Sequence, residues 1–150
     1  MRKKILVGVL AALVIIQFII PERNVSPEII TAGDISKVRP IPEGVHQVLV
    51  LKCYDCHSNN TSYPWYVNIQ PIGWWLANHV NEGKEELNFS SFAAYDKKKA
   101  DHKLEELGEM ITDGSMPLKS YTLLHPESKI TEDEKRMINE WLDALGVKPH

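Results

Sequence analysis

The chain has little cysteine, no internal repeat and no surplus of positive charge, and each shortage removes a class of protein. Two cysteines among 150 residues cannot build a multi-bridge disulfide scaffold. A single CxxC, with no second pair and no paired histidines, leaves a structural zinc site short of its four ligands. The 17 Lys and Arg against 20 Asp and Glu give a net charge of −3. Arg2, Lys3 and Lys4 stand together at the N-terminus, so the rest of the chain is more acidic than that sum and offers no electrostatic footprint for nucleic acid. What remains is an ordinary globular balance, 43% hydrophobic and 25% charged, in a length that suits one small domain.

Behind the basic triplet, Ile5 to Ile20 is apolar except for Gln17. As a helix this run rises about 24 Å, slightly short of a bilayer core. A cleaved signal peptide requires small residues before the cut, and Gln17 to Arg23 has none. A buried core helix fits poorly with an unbroken apolar run behind three cations. The pattern therefore predicts an uncleaved signal anchor, a transmembrane helix over residues 1–22, with the basic side inside. That places the protein at the inner membrane with its C-terminal domain in the periplasm. Residues 23–44, rich in proline and glycine without helical period, read as an extended linker.

From 45 to 150 the signals are helical. Val45, Val48, Leu49, Cys53 and Cys56 share a face, although the Val48–Leu51 run also suits a buried strand. A second helix is predicted from Pro71, with Ile72, Trp75, Leu76, His79 and Val80 on its stripe and Gly83 at its end. Lys84 to Lys99 reads as a polar connection. A third helix starts near Asp101, carries Leu104, Leu107 and Ile111, and stops at Asp113-Gly114. The last has a capping box, Thr131 with Glu134, a stripe of Ile138, Trp141, Leu142 and Leu145, and Gly146 as its stop. The fold class is all-α.

Chemistry concentrates at Cys53-Tyr54-Asp55-Cys56-His57. CxxCH is the attachment signature of c-type haem. Two thiols at this spacing reach two vinyl groups on one porphyrin edge, and the adjacent imidazole comes under the iron. A dithiol redox pair belongs at a strand-to-helix turn that this chain lacks. One covalent haem c, held by Cys53, Cys56 and His57, is thus the expected cofactor, and its apolar disc supplements a small core. For the sixth iron position, Gly114-Ser115-Met116-Pro117 offers Met116 in a loop, and His/Met ligation is an electron-transfer arrangement. His79, on an apolar stripe, is the rival ligand, and an open position is the third outcome. Met110 and Met137 fall within helices as packing residues. His46, His102, His125 and His150 read as surface residues. The carbonyl of Pro64 or Pro71 is the expected acceptor for the second ring nitrogen of His57. Tyr63, Trp65, Tyr66, Trp74 and Trp75 are either core or a haem-pocket wall whose N–H and O–H groups meet the propionates.

The order CxxCH at 53–57, Gly-Ser-Met-Pro at 114–117 and a closing helix over 130–142 resembles class I cytochrome c. More narrowly, Cys-Tyr-Asp-Cys-His-Ser-Asn-Asn-Thr-Ser-Tyr-Pro-Trp-Tyr, followed by Ile-Gln-Pro and Trp-Trp-Leu, resembles a bacterial haem-binding domain family of membrane-anchored CxxCH proteins. The likeness runs from about Ile16 to the C-terminus and includes Gln-Phe-Ile-Ile-Pro-Glu-Arg-Asn. It implies a cytochrome c-like helical domain wrapped around one haem, preceded by the N-terminal transmembrane helix. It also implies Met116 in the place of the axial methionine. The function expected is a membrane-anchored monohaem electron carrier serving a redox partner protein, with no acid–base catalysis. The alternatives are a peroxidase-like haem enzyme or gas/redox sensor with an open distal site, with His79 or His102 as acid–base group, and a structural docking unit for a larger complex.

Overall fold

The first helix, α1 (Arg2–Ile16), corrects the expectation of a membrane anchor. Its 15 residues rise about 22 Å against a hydrocarbon core of about 30 Å, and no helix among the described residues is long and apolar enough to cross a membrane. The physical reason lies at Pro21, which cannot continue a helix, and at Gln17. Its Nε2 donates to the Gln70 carbonyl (3.2 Å) and its Oε1 accepts from the Gln70 N–H (2.9 Å). Two residues on, the Ile19 carbonyl accepts from the Trp74 indole N–H (2.7 Å). The last four residues of the apolar run, Gln17 to Ile20, are thus tied to the body rather than continuing the helix. The inner-membrane anchor falls, and so does the periplasmic placement built on it.

The computed structural model describes residues 1–147 and contains no strand among them; His150 lies outside the described residues. The proline-rich stretch 23–44 is irregular, yet it packs into the body. The Asn24 amide donates to the Ser58 carbonyl (2.8 Å) and Thr61 Oγ1 (2.9 Å). Within this stretch the short helix α2 (Ile35–Val38) is capped by Asp34, whose carboxylate accepts from the Ser36 N–H (2.9 Å). Asp34 and Ile35 are fully buried, and the Pro40 carbonyl accepts from the Trp141 indole (2.9 Å). Proline and glycine content prescribes irregular backbone but says nothing about exposure.

Helix α3 (Glu43–Lys52) buries Val45, Val48 and Leu49 and turns Leu51 to solvent, which excludes the strand alternative. Cys53 ends it, and the single turn α4 (Tyr54–His57) follows. Helix α5 (Ile72–Glu86) runs three residues past Gly83. The 84–99 stretch holds a turn of 3-10 helix, Phe89–Ala94, that sends Phe89 and Phe92 into the core. Helix α6 (Lys97–Asp113) is capped by Asp96 and closed by Gly114 at φ 76°. A short helix α7 (Lys119–Leu124) precedes α8 (Glu132–Ala144), where Thr131 and Glu134 form the expected capping box. Gly146 follows α8 with φ 76°.

Two hydrophobic clusters result. The larger joins Ile35, Leu49, Phe89, Phe92, Leu104, Ile111, Ile138 and Leu142. The smaller joins Val67, Leu76 and Val80. The CxxCH turn straddles them, since Cys53 packs on the first and Cys56 on the second. Gly83 makes this possible. A Cβ there falls 2.7 Å from the Cys56 carbonyl oxygen and 3.3 Å from the Cys56 Cβ. Gly83 is a contact point between α5 and the motif, not a helix stop. Alanine at an open helical glycine gains about 1 kcal/mol of propensity, but here it collides with backbone. Gly83→Ala is therefore expected to lower stability by about 1–3 kcal/mol in urea unfolding. An unchanged or raised midpoint refutes the close-contact role.

Candidate functional site

Cys53, Cys56, His57 and Met116 line one cavity of about 320 Å³. Helix α3 and the α4 turn bring the two cysteines and His57 to one wall, and the loop after α6 brings Met116. Apolar side chains, among them Leu87, Phe89, Leu107, Ile111 and Ile130, make up much of the lining. Both lysines on the lining are paired, while Asp55 and Glu82 there accept from uncharged donors. Lys52 Nζ contacts Glu134 Oε2 (2.7 Å) and the Lys129 carbonyl (2.6 Å), and Lys103 Nζ lies between Glu106 (2.7 Å) and Glu86 (3.1 Å).

His57 Nδ1 lies 3.0 Å from the Leu87 carbonyl oxygen. A carbonyl only accepts, so Nδ1 carries the proton and Nε2 keeps its lone pair. Burial lowers the pKa of this imidazole, with the backbone carbonyls of Leu87 and Gly83 and the charge of Glu86 opposing. The result is a neutral ring with one nitrogen oriented and the other available, the state an iron ligand requires. The acceptor is Leu87, not Pro64 or Pro71, because the end of α5 passes over the motif at Gly83. Behind the ring, Phe89 meets it edge-on at 6.2 Å and stacks on Tyr54 at 5.1 Å. Tyr54 in turn donates to the buried carboxylate of Asp34 (3.0 Å to Oδ2). This line of rings fixes the imidazole plane.

Both cysteines are free thiols. Burial, then the neighbouring Cys56, pushes the Cys53 thiol up to about 12. Burial, then Asp55, pushes Cys56 up to about 11. A dithiol redox pair depends on a depressed thiol pKa, and both shifts here run the other way. No group of three or more His, Cys, Asp and Glu suited to a metal ion occurs among the described residues.

His79 also lines the cavity. Its Nδ1 donates to the Trp75 carbonyl (2.9 Å) and its ring lies 4.2 Å from the indole, so its Nε2 is free of that bond. Met110, expected only to pack, lines the cavity as well. His102 does not; it is exposed, 3.4 Å from both Glu105 and Glu106. His46 and His125 are half-buried rather than surface residues. None of Tyr63, Trp65, Tyr66, Trp74 and Trp75 is on the cavity. Trp74 and Tyr63 instead hydrogen-bond the N-terminal stretch at Ile19 and Asn24, while Trp65 and Trp75 are exposed. Tyr121 is a cavity residue that no sequence signal singled out, because residues 118–124 show neither a strong stripe nor a motif.

An all-α body with an apolar cavity that offers two thiols, an imidazole lone pair and a thioether defines a haem protein in class. The donor set suits a porphyrin iron, and the apolar walls suit its faces. The chain belongs to the haem-binding domain family, whose family model matches residues 11–144, and its cofactor is haem. No curated protein and no solved structure matches it.

Proposed function

We propose that this haem-binding protein is a monohaem c-type cytochrome, class I-like in the arrangement of its ligands, that passes electrons to a redox partner protein. The observation that carries the reading is the meeting of Cys53, Cys56, His57 and Met116 on one apolar cavity. When bound, haem supplies a reversible one-electron change at its iron. Cys53 and Cys56 would hold the haem by adding across one vinyl group each, sulfur to one carbon and hydrogen to the other, a step that would consume no oxidant or reductant. Cys53 and Cys56, both free thiols, would contribute their S–H groups to this addition. His57 presents Nε2 with its plane held by Leu87 and Phe89. Met116 offers a thioether, which favours the ferrous state and raises the potential. No side chain has to gain or lose a proton during transfer.

The test is co-expression with haem-attachment machinery. Intact mass is expected to exceed the polypeptide by one haem, and the ferric protein to have the near-infrared methionine–iron band. Met116→Ala is expected to abolish that band. A Met116→Ala spectrum identical to the parent sinks the methionine ligation.

A second reading is an open-site haem enzyme or gas/redox sensor, and His79 favours it because it borders the same cavity with Nε2 unengaged by Trp75. Carbon monoxide separates the two. Fast, tight binding to the ferrous protein supports the open site, and slow or absent binding supports a filled sixth position.

A further inference from the structure

The segment that carries Met116 is thinly held. Helix α7 has no buried residue, and Leu123 and Leu124 are 81% and 57% exposed. Apolar burial therefore does little to fasten residues 114–125, and such segments open at low free-energy cost. Among the described residues, two long-range side-chain hydrogen bonds tie it down. Tyr121 Oη donates to Asp55 Oδ2 (2.6 Å), and Tyr66 Oη meets His125 Nε2 (2.6 Å). The first differs from the second in where it ends. Asp55 is the residue between the two motif cysteines, and Tyr121 lines the cavity. Asp55 is itself immobilised, accepting from the Ser62 N–H (2.9 Å) at its other oxygen and from Thr61 Oγ1 (2.7 Å) at its carbonyl. The Tyr121 ring stacks on His125 at 4.6 Å and 25°, which sets the hydroxyl's direction.

We infer that the Tyr121–Asp55 hydrogen bond is a latch that holds the Met116 segment against the CxxCH turn and so governs how readily the sixth iron position opens to a diatomic ligand. Tyr121 is a positioning residue, and the inference rests on the reading of Met116 as axial ligand. A hydrogen bond to a charged acceptor shifts a closed–open ratio by roughly ten- to a hundredfold. Its loss leaves the iron's other neighbours in place and releases only this wall.

Tyr121→Phe removes the hydroxyl and keeps the stacked ring. In the haem-loaded protein, amide hydrogen exchange over residues 116–124 is expected to quicken by roughly ten- to a hundredfold, with α3 and α8 unchanged. Carbon monoxide association with the ferrous form should quicken in parallel, and the ferric methionine–iron band should weaken. Asp55→Ala should show at least these effects, since it also frees the Ser62 N–H, and the double variant should go no further than Asp55→Ala alone. Should Asp55→Ala fail to mature, Tyr121→Phe alone decides. Exchange and carbon monoxide rates equal to the parent's, in a parent that has the band, overturn the latch and leave the proposed function standing. A parent without the band overturns methionine ligation, and the latch with it.

Discussion

Replacing Cys53 and Cys56 together by alanine is expected to leave the denatured protein at the mass of its bare polypeptide, with no haem surviving acid extraction. Each single replacement should keep the full mass increment through the remaining thioether, with a shifted visible spectrum from the vinyl group left unreacted. The effect is all-or-none because a bond is lost, not a contact. His57 stays on the cavity wall in the double variant, so haem binding should persist in a reversible, concentration-dependent form and stabilise the fold only by mass action. Denaturing intact mass and haem staining check this. A double variant that keeps the increment refutes attachment through these sulfurs.

The largest effect on stability is expected at Phe89. Its side chain is fully buried, stacks on Tyr54, meets the His57 ring and lines the cavity. Phe89→Ala removes a whole ring from a packed site and is expected to cost about 3–5 kcal/mol. For a chain of this size that lowers Tm by on the order of 10 °C. The consequence reaches the metal site, since His57 loses the ring that restricts its rotation. Thermal unfolding measures the first effect and the width of the haem absorption bands the second. A Tm within a degree or two of the parent's refutes the structural role.

Phe89 also illustrates where the sequence stops being legible. It lies in a lysine- and glutamate-rich stretch that reads as a polar connection, because a short 3-10 turn has too few residues to declare a period. Helices with a longer apolar stripe were readable, namely α3 by Val45, Val48 and Leu49, α6 by Leu104 and Ile111, and α8 by its capping box and Ile138, Trp141 and Leu142. Helix α5 was readable at its start and not at its end. Glycine is a stop signal only statistically, and Gly83 serves close packing against Cys56, a partner that local pattern does not encode. The aromatic cluster after the motif was legible as dense, and of its two readings the pocket wall fails while core packing holds for Tyr63 and Tyr66. Trp74 and Tyr63 anchor the N-terminal stretch, Tyr66 packs on the smaller cluster and meets His125, Trp65 and Trp75 are exposed, and the aromatic residues on the cavity are Phe89 and Tyr121.

The N-terminal run failed for a related reason. Hydropathy counts apolar residues along the chain, and the run is apolar enough to suggest a membrane span. Pro21 stops α1 from continuing, which is a local signal, whereas the pair of hydrogen bonds that ties Gln17 to Gln70, 53 residues apart, lies in no window along the sequence.

By itself the sequence determined the helical class and pointed to haem as the cofactor. CxxCH is a local geometric demand, and helix periodicity and capping are set by neighbours within a few residues. The tertiary structure alone decided which groups share the cavity, that Leu87 orients His57, that Tyr121 reaches Asp55, and that residues 17–44 belong to the body. These are contacts between segments far apart in the chain, fixed by packing, and close packing is a property of the folded whole.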